Sequence, residues 1–69
     1  MIEVFKTNVQ EVEQSKIIVE KLLEHFPNSN INFDLEDCDK ILRVHDLKIS
    51  NKKIIKLLNS YGYLCEVLA

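Results

Sequence analysis

Two stretches of helical periodicity, set among four short runs rich in β-branched and aromatic residues, occur in the order βαββαβ and predict an α+β domain. That order is the ferredoxin-like one. It implies a four-stranded antiparallel sheet, strand order 4-1-3-2 when the split βαβ crossovers keep their usual hand, with two helices on one face. The length agrees, since 69 residues make a single domain over 1–69 and no more. A domain of this size buries only about 60% of the surface its unfolded chain exposes, so its core is thin. With 46% hydrophobic and 29% charged residues, the composition is that of a globular chain rather than a disordered one.

Each element carries its own signal. "IEVFKT" (2–7) is a first strand by its β-branched and aromatic content. In "EVEQSKIIVEKLLEHF" (11–26), steps of 100° gather Val12, Ser15, Ile18, Val19, Leu22, Leu23 and Phe26 on one side and leave Ile17 out. Pro27 stops this helix and "PNSN" turns the chain. "INFDL" (31–35) alternates, with Ile31, Phe33 and Leu35 on one side, and "KILRV" (40–44) follows with Leu42 and Val44 alternating against Ile41 and Arg43. Ser50 is the expected N-cap of a second helix, "NKKIIKLLNSY", whose apolar face is Ile54, Leu57, Leu58 and Tyr61. Gly62 ends it in the left-handed conformation, and "YLCEVL" (63–68) is the last strand.

Several function classes fall away on composition. A net charge of −2 opposes nucleic-acid binding, which calls for a basic face. No run approaches the ~20 apolar residues of a membrane span. The opening "MIEVFK" lacks the basic and apolar regions of a secretory leader. Together with two widely separated cysteines, this predicts a reducing, cytoplasmic setting. No cofactor is expected.

The run "INFDLEDCDKILRV", then "ISNKKIIKLLNSYGYLCEVL", together with "VEKLL" late in the first helix, resembles the heavy-metal-associated domain of small copper chaperones and metal-exporting ATPases. The resemblance covers nearly the whole chain and implies a ferredoxin-like fold and a role in metal homeostasis. That family's chemistry lies in G-M-x-C-x-x-C between first strand and first helix, where two thiolates hold a soft ion such as Cu(I). Here the junction reads "KTNVQEVEQS". Its ligand positions fall on Val12 and Ser15, or on Gln10 and Glu13, so no metal residue carries over.

The remaining donors are few. "DLEDCDK" (34–40) sets Asp34, Glu36, Asp37 and Asp39 around Cys38 at the tip of the central hairpin. The spacing lacks the turn glycine and distal glutamate of a Ca²⁺ loop, and Asp is a favoured turn former, so a solvated turn is expected. Cys38 with Glu36, Asp37 and Asp39 is the substitute metal-ligand set the chain offers. Cys65 is expected in the core, and His25 and His45 each stand alone. Lys52 and Lys53, in the first turn of the second helix, oppose the helix dipole and can meet an anion. No acid–base pair or activated nucleophile is evident, and no enzyme is expected.

The sheet's outer face is the expected interaction surface. If Ile2, Val4, Phe33, Leu42, Cys65 and Val67 point toward the helices, then Phe5, Ile41, Leu64 and Leu68 point away. Phe5, Ile41 and Leu64 would then form an apolar cluster on adjacent strands. The function expected is a non-catalytic binding module that takes a protein partner or a second copy of itself through that open face. The alternatives are a metal-ion carrier with substitute ligands and a small-molecule-sensing regulatory module, the latter on fold analogy alone.

Overall fold

The computed structural model describes residues 1–68. The elements are β1 (Ile2–Thr7), α1 (Val12–His25), β2 (Asn30–Asp34), β3 (Ile41–His45), α2 (Asn51–Ser60) and β4 (Cys65–Val67). The strands form one antiparallel sheet in the order β2-β3-β1-β4, which is the predicted 4-1-3-2 read from the other edge. Helix α1 packs over β2, α2 packs over β4, and the helices touch each other above the same face. This is the ferredoxin-like arrangement.

Local chemistry explains where the helices begin and end. At the start of α1, the Gln14 side chain reaches back so that its Oε1 accepts from the Glu11 backbone N–H at 3.3 Å. After His25 the Phe26 N–H still donates to the Leu22 carbonyl at 2.7 Å, and Pro27 allows no further turn. Ser50 caps α2 as expected, its hydroxyl accepting from the Lys53 N–H at 3.4 Å. At the other end Gly62 takes φ +89°. Its N–H donates to Asn59 O at 2.9 Å, while the Tyr63 N–H donates to Leu58 O at 3.0 Å. Both bonds belong to the Schellman closure, which relies on a residue free to enter the left-handed region.

One core joins the layers. Phe5 and Val9 from β1 and its exit loop, Ile18 and Leu22 from α1, Leu42 and Val44 from β3, and Ile54 and Leu58 from α2 are fully buried together. The predicted helix faces hold at Ser15, Ile18, Leu22, Ile54 and Leu58. Val12 and Tyr61, expected on those faces, are exposed because each sits at a helix end beyond the edge of the sheet's cover.

The facing of β1 is the reverse of the expectation. Phe5 stands opposite Leu42 on β3 and Val67 on β4, and Leu42 in turn stands opposite Phe33 on β2, so all four share the helix side. Phe5 is therefore a core residue with no exposed surface, not part of an outer patch. Ile2 and Val4 lie on the outer side. Each facing carries one charged residue to the helix side, Lys6 in the expected facing and Glu3, opposite Val44, in the observed one, and the observed facing buries the Phe5 ring.

Candidate functional site

The hairpin tip between β2 and β3 is built from the end of β1 as much as from its own residues. The Thr7 N–H donates to Asp39 O at 3.1 Å, and the Thr7 hydroxyl donates to Lys40 O at 2.6 Å. The same hydroxyl oxygen accepts from the Val9 N–H at 3.3 Å, so one buried threonine anchors both the tip and the loop leading to α1. Within the tip, Asp37 Oδ1 accepts from the Asp39 N–H at 2.9 Å and Asp37 O from the Lys40 N–H at 3.0 Å. This is the aspartate turn the sequence calls for. Lys40 sits at φ 49°, a left-handed position uncommon for a residue with a side chain, and its ammonium donates to Leu35 O at 2.9 Å.

This folding brings ligand atoms of Asp37, Cys38 and Asp39 within 4.8 Å of one another and leaves Glu36 out of the group. The first two residues are exposed and Asp39 is half-buried. Asp37 is committed to the turn, and Asp39 Oδ1 lies 3.8 Å from the Lys6 ammonium. The turn itself thus accounts for the convergence of these groups.

The thiolate chemistry of the resemblance has no place at the β1–α1 junction. Ser15 is buried and its hydroxyl donates to Val12 O at 2.6 Å, so neither Val12 nor Ser15 offers a soft ligand. Gln14, not Gln10 or Glu13, makes the capping contact there. Both cysteines are free thiols. Cys65 faces the core beside Thr7, and burial, followed by the neighbouring Glu66 charge, pushes its thiol up to about 11. His45 ends β3 at the opposite end of the strand from the hairpin tip, opposite Ile2, and His25 ends α1. Neither joins Cys38.

On the outer face of the sheet the expected cluster does not form. With Phe5 in the core, Ile41 takes its place between Lys6 on β1 and Asp34 on β2. Ile41 is itself only 5% exposed. The Lys6–Asp39 pair and the Arg43–Asp34 pair, the latter at 3.6 Å, frame it. A residue on a central strand is overhung by long charged neighbours, whose aliphatic stems cover it. Leu64 is exposed but isolated. Its N–H donates to Asn8 Oδ1 at 2.8 Å, and Lys6 and Glu66 separate it from Leu68 at the other end of β4.

The apolar surface that does exist gathers at the opposite end. The Leu68 N–H donates to Val4 O at 2.9 Å, which sets Leu68 beside Val4 on the outer side, with Ile2 next along β1. Ile2 is 62% exposed and Leu68 is partly so. Of the four predicted contact residues, then, Leu68 belongs to this patch, Leu64 stands apart, Ile41 is covered and Phe5 is buried. Ile2 and Val4 were missed for one reason, the parity of β1.

No helix is long and apolar enough to cross a membrane among the described residues. No family profile, curated protein or solved structure matches the chain.

Proposed function

We propose that the chain is a non-catalytic interaction module, similar to a heavy-metal-associated domain without its thiolate pair, that docks a second copy of itself transiently through the outer face of its sheet. The observation that carries this reading is the contiguous Ile2, Val4 and Leu68 surface on a face that no helix covers. The same face holds Lys6 and Arg43 alongside Asp34 and Glu66, two charges of each sign. A patch carrying both signs suits a two-fold contact, in which the same surface meets itself.

Size sets the strength. Four strands about 4.8 Å apart and five residues of about 3.4 Å each span roughly 300 Å². Stable complexes bury about 800 Å² per partner, so this face supports a weak, reversible contact. Sedimentation across a wide concentration range is the direct test. Concentration-dependent association that disappears in Ile2→Glu and Val4→Glu, with unchanged circular dichroism, is the expected result. A chain that stays monomeric at millimolar concentration would overturn the reading.

A further inference from the structure

We propose that the concavity between the end of α1 and the exposed side of α2 is a docking groove for an acidic peptide segment that carries one large apolar side chain. This surface is distinct from the outer sheet face, and the inference stands or falls without it. Phe26 and Leu57 supply the apolar floor, and His25, Lys53, Lys56 and Ser60 line the rim. The volume is about 290 Å³, the lower limit for ligand pockets, which suits a single side chain better than a cofactor.

Charge identifies the occupant. Residues 48–60 contain Lys48, Lys52, Lys53 and Lys56 and no aspartate or glutamate, although the chain as a whole has 11 acidic residues against 9 basic ones. All four lysines are exposed, and among the described residues none forms an ion pair. Folding does not call for this placement, because Lys52 and Lys53 in the first turn of α2 oppose the helix dipole. Glu24, next to the groove residue His25, is engaged 3.5 Å from Lys21, so no carboxylate of the rim neutralises the lysines. The groove therefore combines an apolar floor with an uncompensated cationic rim.

Two rim lysines on a chain of net charge −2 are too few to track a phosphate backbone. A bilayer would need a broad apolar helix face rather than a hole the size of one side chain. A second copy offers exposed Ile17 on α1, but its neighbours Glu13, Lys16, Glu20 and Lys21 cancel in charge and bring no net acidity to Lys53 and Lys56. An acidic segment with one aromatic or aliphatic anchor satisfies both floor and rim.

The test uses a labelled ten-residue peptide of glutamates around one phenylalanine, titrated with the full chain and followed by anisotropy and amide shifts. Saturable binding is expected, with shifts at Phe26, Leu57 and Ser60. Affinity should fall about tenfold or more in the Lys53→Glu, Lys56→Glu double variant, at high salt, and for the peptide with alanine in place of phenylalanine. The milder Lys53→Gln, Lys56→Gln pair should show a smaller loss in the same direction, which guards against misfolding of the charge-reversed protein. Absence of binding at millimolar peptide would overturn the proposal, as would equal binding of the alanine peptide or insensitivity to both lysine pairs. Tighter binding to phosphatidylserine vesicles than to the peptide would assign the groove to a membrane. Self-association abolished by Ile17→Ala would assign it to a second copy.

Discussion

The two faces of this sheet are made from the same four strands, yet they follow different rules. Across the inner face, Phe33, Leu42 and Phe5 lie in one row and are sealed by α1 and α2, with Phe5 and Leu42 wholly out of solvent. Across the outer face the next row is Asp34, Ile41, Lys6 and Glu66, in which one isoleucine lies among three charges. The inner face is mostly apolar because helices cover it, with Glu3 and Thr7 its polar members on β1. The outer face gathers exposed apolar residues where Ile2, Val4 and Leu68 meet, with Leu64 apart at the other end of β4. A one-residue shift in parity exchanges these roles, so the identity of the exposed apolar patch depends on which residues of β1 look inward.

The largest effects should come from testing that parity directly. Phe5→Ala removes a fully buried aromatic ring and is expected to cost about 3–5 kcal/mol, whereas Ile2→Ala on the other face should stay within about 0.5 kcal/mol. Urea unfolding of the two variants checks the contrast. Since a domain of this size has roughly 5 kcal/mol in total to lose, Phe5→Glu should not fold at all. Comparable losses at both positions would mean that β1 lacks a single facing.

A smaller loss is expected where the inner face becomes polar. Thr7→Val keeps the shape but deletes the donor to Lys40 O and the acceptor for Val9 N–H, two contacts that tie the hairpin tip to the β1–α1 loop. Leaving those groups unsatisfied should cost about 1–3 kcal/mol. Faster amide exchange should then appear at Val9 and Asp39 before it appears in the outer-face strands.

The mildest effect belongs to the end of the sheet remote from the hairpin tip. Asp46 accepts from the Ser29 hydroxyl and, at 2.6 Å, from the Leu47 N–H. The Ser29 bond foremost holds its carboxyl below the ordinary value; desolvation, next in size, opposes it, and the Leu47 and Lys48 backbone amides and the N-terminal ammonium add smaller lowering effects. Because folding favours the ionised form, its contribution is fully present above the ordinary carboxylate pKa and is lost as pH falls through the depressed folded value. Asp46→Asn should therefore lower the melting temperature slightly at neutral pH, and the difference should vanish in strong acid. A difference that persists unchanged at low pH would show that the carboxylate charge is not what matters there.

The order of elements, both helix ends and the position of the acidic hairpin were legible in the sequence, because each rests on local chemistry. The cap at Ser50, the left-handed Gly62, the stop at Pro27 and the aspartate turn at Asp37 all act within a few residues of where they stand. The strand order followed from the handedness of the crossovers, which is equally general. The facing of β1 did not follow, because Ile2, Val4 and Phe5 give it apolar residues on both sides, and composition alone cannot choose between them. That choice was made by packing, as Phe5 fills the space below Ile18, Leu22, Ile54 and Leu58 while Lys6 is kept in water. The junction of Thr7 with Lys40, 33 positions apart, and the groove formed where Phe26 meets Leu57 likewise exist only once distant segments are brought together. Local capping and turn chemistry is written residue by residue, whereas the facing of a two-sided strand is decided by the free energy of the whole core.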